Sequence, residues 1–414
     1  MPPSRGRIVA GALVGVAIVV VVAIVAALAI TESDGTVAGP DVTTSPGSTT
    51  PGPTTSGAPG ATTVPPTDLD AAIDEAMAFI QSERQRQFTS RPPVEALDDA
   101  AFIARYDALI DEAVAKDPQG IAAATVLYRA FGLIDPDEDI VDVESKFGAA
   151  GVLGFYDDER NELVVRGGDI TPYFRTVLVH ELTPALDDQL VELDRPQDDH
   201  ADDEVGFGLS AVAEGNARRV ELAYRDSLSS DEQRSADREE ASYGANFNPD
   251  DFHRSFLLLQ LAPYDLGEPF VEDLLKAGGE DAVDTALRDP PHTSEQVIDF
   301  DKYESKEPRV DVAPPPADGD ILDDGVVGQV AIASILGDVM NQSDANRAAE
   351  GWGGDWYVVW KQGNTSCARA TFVMETSKDL GELSDAFREW ADVQPGQASV
   401  NETKDQMTLT SCVG

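Results

Sequence analysis

The chain has 414 residues, 42% of them hydrophobic, and a formal net charge of −46 from 30 Lys+Arg against 76 Asp+Glu. That hydrophobic share suffices for a large core and excludes global disorder. The acid excess excludes a nucleic-acid binder, because phosphates would be repelled over most of the surface, and two cysteines exclude a disulfide-dense scaffold or a Cys-rich zinc module.

Residues 8–30 are an uncharged apolar run. At about 1.5 Å per residue a helix of this length spans a hydrocarbon core of about 30 Å. A signal peptide would have a shorter apolar region of about 7–15 residues, so an uncleaved transmembrane anchor is the preferred reading. Arg5 and Arg7 precede it, which keeps residues 1–7 in the cytoplasm and puts the rest outside the cell membrane. Gly11 and Gly15 form a single GxxxG pattern, a weak signal in a Gly/Ala/Val-rich run. Residues 31–66 are rich in Thr, Ser, Pro and Gly and lack aromatic residues. Such a stretch reads as a disordered linker.

The ectodomain opens with an amphipathic helical pattern over Thr67–Arg84, then an extended segment at Arg91–Val94. Helical patterns follow at Asp98–Val114 and Gln119–Phe131. Val152–Tyr156 and Leu163–Arg166 flank a turn-like stretch and predict a hairpin. Thr171-Pro172 predicts a helix start, and a second helix covers about Asp203–Tyr224. Residues 252–287 are mostly helical, Pro290-Pro291 interrupts them, and 304–324 form an acidic, Pro-rich connection. Beyond it, 325–414 reads as a small α+β unit: a helix at Val326–Val339, strands at Trp356–Trp360 and Ala368–Met374, a helix at Lys378–Ala391 and a strand at Gln406–Ser411. Cys367 and Cys412 sit at strand ends in this unit. A disulfide is the expected state outside the cytoplasm, two buried thiols the alternative.

The chemistry concentrates in His180-Glu181-Leu-Thr-Pro184-Ala-Leu-Asp187-Asp188-Gln189. This is an HExxH helix with its second histidine missing. In such a helix two imidazoles four residues apart converge on zinc, and the glutamate serves as general base. Ala213-Glu214-Gly-Asn216-Ala217 lies in the next predicted helix, where a third, gluzincin-type ligand would stand.

On these residues the chain resembles a family of bacterial, largely extracytoplasmic zinc metallopeptidases with the patterns HELTHALQDQ and ALVEGDA. Gly154–Asp157, Pro290–Tyr303, Glu350–Asp355 and Leu409–Cys412 match further family segments in the same order, so the likeness covers most of 67–414. It implies an α+β fold: a mostly helical zincin-like domain at 67–303, with a hairpin before the metal-site helix. It also implies that His180 and Glu214 are zinc ligands, Glu181 the catalytic base and Asn216 a supporting residue.

The departures fall on the chemistry. Pro184 replaces the second histidine and has no lone pair to give. Asn216 stands where the family has Asp, and Asp299 where it has His. Zinc is therefore expected to be absent or weakly held. His200, folding back, or Asp187 and Asp188, across a kink, are candidate replacement ligands; His253 and His292 are the remaining histidines. The acidic loops Asp135–Asp142 and Asp318–Asp324 lack the order of a calcium loop. The expected function is a pseudo-peptidase that binds a peptide or envelope protein. The rivals are an active metallopeptidase with a non-standard ligand set and a structural acidic envelope protein.

Overall fold

The computed structural model describes residues 18–22, 66–157, 160–193 and 203–414. The molecule mixes helix and strand, as the α+β reading requires. The predicted stub 1–7, almost all of the linker 31–66, and His200 lie outside the described residues.

Two sheets organise the chain. The first contains β1 (Ile18–Val22), β2 (Val94–Leu97), β3 (Val152–Asp157) and β4 (Glu162–Arg166), in the order β1-β3-β4-β2. β3 and β4 form the predicted antiparallel hairpin, and β2 runs parallel to β4. β1 lies within the run read as a membrane anchor. Most of 8–30 lies outside the described residues, but Ile18–Val22 pairs antiparallel with β3. β-branched residues favour extended backbone, and the outer edge of β3 offers unpaired N–H and C=O groups. Among the described residues no helix is long and apolar enough to cross a membrane.

Helices α1 (Pro66–Glu83), α2 (Asp99–Lys116), α3 (Pro118–Ala130) and α4 (Ile140–Gly151) precede β3 in the chain, with α2 and α4 packed on this sheet and α3 on the second. α5 (Pro172–Val191) follows the hairpin, then α6 (Asp203–Ser227), α7 (Ser230–Gly244), α8 (Arg254–Gly278), α9 (Glu280–Arg288), α10 (Ser294–Ile298) and α11 (Phe300–Ser305). Thr171 caps α5 as expected: its hydroxyl accepts from Phe174 N at 3.0 Å.

The second sheet has the order β5-β6-β7-β9-β8, from β5 (Ile321–Gly325), β6 (Trp352–Gln362), β7 (Thr365–Met374), β8 (Gln397–Glu402) and β9 (Met407–Val413). β5 lies within the stretch read as a connection. α12 (Gly328–Leu336), α13 (Gln342–Ala349) and α14 (Ser377–Val393) accompany the sheet. Cys367 and Cys412 are directly opposed on β7 and β9, with Cα atoms 4.1 Å apart, and form the expected disulfide. It closes a separation of 45 residues, worth roughly 4 kcal/mol in the chain-entropy account.

One apolar core runs through both parts. Phe102, Val126, Phe147 and Phe155 belong to the same cluster as Trp352, Phe372, Phe387 and Trp390. Polar joints complete the connection. Asp355 accepts from Val327 N (2.7 Å), Gly328 N (3.0 Å) and Trp352 Nε1 (2.8 Å), satisfying the start of α12. Glu204 of α6 accepts from Ser294 N (2.6 Å) and Ser294 Oγ (2.9 Å). Gly328 has φ +79°, and a Cβ there would come within 1.9 Å of Glu204 Oε1, so the joint needs glycine.

A buried carboxyl sits in this core. Glu144 of α4 is bonded by Gln260 Nε2 at 2.8 Å, and burial pushes its pKa up to about 8. The folded state therefore holds this proton more tightly than the unfolded chain, whose value is near 4.5. Its effect is that stability falls as pH rises between those two values. Glu144→Gln keeps the acceptor and removes the titration. Urea denaturation at pH 5 and pH 8 should show a gain on the order of 2 kcal/mol for the variant at the higher pH and little at the lower. Parallel pH dependence in the two proteins would refute this account.

Candidate active site

α5 carries His180 and Glu181 into the interior, where they are 1% and 0% exposed. β3 covers Glu181 closely. A Cβ on Gly154 would lie 2.8 Å from Glu181 Oε1, so glycine at this position lets the strand pass over the carboxylate. α6 supplies the facing wall. A Cβ on Gly215 would stand 2.2 Å from the carbonyl of Gly267, and one on Gly267 2.0 Å from the carbonyl oxygen of Ala211. The α6 and α8 backbones thus meet in direct contact, and the next residue back, Glu214, is held against α5.

The structure brings His180 and Glu214 together, as the sequence predicts, and adds a residue it did not single out. His180 Nε2 is 3.2 Å from Glu214 Oε2, and His180 Nδ1 is 3.1 Å from Glu221 Oε2. Seven residues apart on α6, Glu214 and Glu221 share one helix face. Arg218 Nη1 donates to both oxygens of Glu221 at 2.9 Å. Burial alone would lower the His180 pKa, but the bonds to Glu214 and Glu221 outweigh it and lift it to about 10. The ring is then an imidazolium at neutral pH, donating from both nitrogens. Burial likewise opposes ionisation of Glu221, yet His180 and Arg218 hold its pKa below the usual carboxylate range. Tyr264 of α8 stacks on the imidazole with ring centroids 6.3 Å apart.

Pro184 does not break α5, which continues through it. It lacks the N–H that would bond the His180 carbonyl four residues earlier. Thr183 Oγ1 donates to Val179 O at 2.8 Å, tying the same turn.

Asp187 and Asp188 are committed elsewhere. Asp188 accepts from Tyr156 OH and Leu193 N, each at 2.8 Å. Asp187 accepts from Arg84 Nε (3.2 Å) and Nη2 (2.7 Å), and from Asn216 Nδ2. Asn216 Oδ1 accepts from Arg219 Nε at 3.1 Å; Arg219 Nη2 donates to Glu280 at 2.8 Å; Arg84 donates to Glu280 in turn. The result is a closed ring of charge-assisted hydrogen bonds around a fully buried Arg84. Burial opposes the Arg84 charge, but Asp187, Glu280 and Asp284 raise its pKa nonetheless.

Zinc, which the resemblance implies, can be tested against these donors. His180 Nε2 and Glu214 point at one another, Pro184 offers nothing, and His180 Nδ1 is taken by Glu221. His253 pairs with Asp135 (3.1 Å) and Asp338 (3.7 Å), and His292 lies at the surface beside Asp289. Among the described residues, His180 and Glu214 are the donors brought together of those the resemblance names, which falls short of the four-coordinate set that zinc takes. Among the described residues the one group of three close carboxylates is Glu295, Glu307 and Glu375. Lys302 Nζ already sits among them, at 2.8, 2.9 and 2.5 Å. The acidic loops are likewise used internally: Asp139 caps α4, Asp323 accepts from Tyr357 OH, and Asp324 accepts from Trp356 Nε1. Asp299 caps α11.

Residues 319–411, from just before β5 into β9, match a family described as Domain of unknown function (DUF8575). No curated protein and no solved structure matches the chain.

Asn216, one of the departures noted in the sequence, bonds Asp187. In the patterns the chain resembles, Gln stands at the position of Asp187 and Asp at that of Asn216. In this chain the Asn216 amide donates to the Asp187 carboxylate, so the two positions are coupled. Asn216→Asp alone would set two buried carboxylates against each other and should cost about 2–4 kcal/mol. Asp187→Gln combined with Asn216→Asp should recover at least half of that loss in urea melts. A double variant no better than the single one would disprove this coupling.

Proposed function

We propose that this chain is a metallopeptidase-like protein of the cell envelope that binds an extended peptide or an envelope protein and does not cleave it. In this reading the fold is gluzincin-like, residues 8–30 anchor it in the membrane and the folded part faces outside. Zinc is absent or weakly held. The reading is carried by His180, whose two ring nitrogens are engaged by Glu214 and Glu221 while Pro184 stands where a second imidazole would be. Glu181 lacks a metal-bound water to deprotonate in such a site. The Cys367–Cys412 disulfide supports an oxidising compartment.

The outer edge of β3 supports peptide binding. It passes over Glu181 and pairs with an extended segment, Ile18–Val22, in the antiparallel sense. In the anchored protein that segment belongs to the bilayer, and the edge is open to a strand of another chain.

Metal content tests the proposal directly. The protein purified in detergent should retain well under one equivalent of zinc after dialysis, and Pro184→His should retain about one. Stoichiometric zinc in the wild type, with casein hydrolysis that Glu181→Gln abolishes, would overturn it.

A further inference from the structure

A cavity of about 150 Å³ opens where the β4–α5 connection faces α7. Its floor includes Leu153 and Val177, which flank the candidate site: Leu153 precedes Gly154 on β3, and Val177 lies one turn before His180 on α5. Drug-sized ligands occupy pockets of about 300–1,000 Å³. This cavity therefore suits the end of a single side chain.

Its chemistry selects the charge. Tyr173, Phe174 and Tyr243 supply aromatic rings, and Tyr173 and Tyr243 approach to 5.9 Å between centroids at an interplanar angle of 37°. Asp169 and Glu239 supply carboxylates that make no side-chain hydrogen bond or ion pair among the described residues. One cation, Arg166, lines the cavity, and it is already engaged: Nε donates to Asp99 at 2.9 Å, and Nη1 to Ala149 O at 3.0 Å and Val152 O at 3.4 Å. The start of α5 offers little to an anion, since Thr171 Oγ1 already accepts from Phe174 N. Aromatic faces beside uncompensated carboxylates attract a cation.

We propose that this cavity is a subsite for one basic side chain, lysine or arginine, of the bound peptide. The inference rests on the peptide-binding reading above and supplies its substrate class: an extended segment carrying a positive residue beyond the part that pairs with β3. Val22, the last residue of β1, pairs with Val152 at the same end of β3 as the cavity. A chain running along that edge in the same sense reaches the cavity at its C-terminal end.

Blocked single residues test the pocket without requiring strand pairing. N-acetyl-lysine methylamide, titrated into the detergent-purified protein labelled with fluorotyrosine, should shift a Tyr resonance that Tyr243→Leu removes, with saturation. The norleucine and glutamate analogues should not. Glu239→Gln, an isosteric change at a partly exposed position, should weaken the lysine probe about 3–10-fold. Equal binding of lysine and norleucine probes, preference for the glutamate probe, or no effect of Glu239→Gln would overturn the proposal. Labelled pentapeptides with and without a C-terminal lysine separate the two readings. Peptides that bind regardless of the lysine sink the subsite alone. Lysine-probe binding with no peptide binding supports the subsite and sinks the peptide reading.

Discussion

The contact of α6 with α8 at Gly215 and Gly267 is the constraint on which the site depends. Any side chain at either position would push the two backbones apart. Glu214 and Glu221 ride on α6, so that displacement would withdraw both carboxylates from His180. The imidazolium would then be buried without compensation, which costs several kcal/mol. Helix packing and site electrostatics are therefore one problem in this protein. The glycine beside Glu214 in the Glu-Gly-Asn run serves the glutamate by letting its helix approach.

The segments that carry the family resemblance outside the active site serve as joints. In the Pro290–Tyr303 stretch, Ser294 bonds Glu204, Gln296 accepts from His292 N and donates to Glu307 O, and Lys302 gathers Glu295, Glu307 and Glu375. In the Glu350–Asp355 stretch, Asp355 closes the start of α12 and the Trp352 indole. Ser294, Gln296, Glu204 and Asp355 are buried, so each must find a partner within the fold. These joints lie outside the His180 cluster and hold the fold together.

Elements with a clean local signal were legible in the sequence. The Thr171-Pro172 start, the β3–β4 hairpin and α14 all follow from caps, turn residues and apolar periodicity. α7 was missed because it has almost no apolar stripe: Ala236 is its one buried residue, and a Ser229–Glu232 capping box starts it. β8 and β5 were missed because Gln397–Glu402 and Ile321–Gly325 are polar or exposed edge strands that their neighbours order. The strand at Ile18–Val22 depends on a partner far along the chain, which no local pattern reveals. At the site, spacing gave His180, Glu181 and Glu214. Glu221 was readable in principle, since it repeats the Glu214 face two turns on. Arg84 was not, because its partners Asp187, Glu280 and Asp284 lie 103, 196 and 200 residues away.

Charge balance gives the site its final logic. His180 meets Glu214 at one ring nitrogen and Glu221 at the other, and Arg218 offsets Glu221 from beyond. The neighbouring ring does the same, with Arg84, Arg86 and Arg219 against Asp187, Asp284 and Glu280. Opposite charges paired in this way offset part of the cost of burying them. The Asp187–Asn216 bond and the two carboxylates on His180 leave each of these buried polar groups with a partner inside the fold.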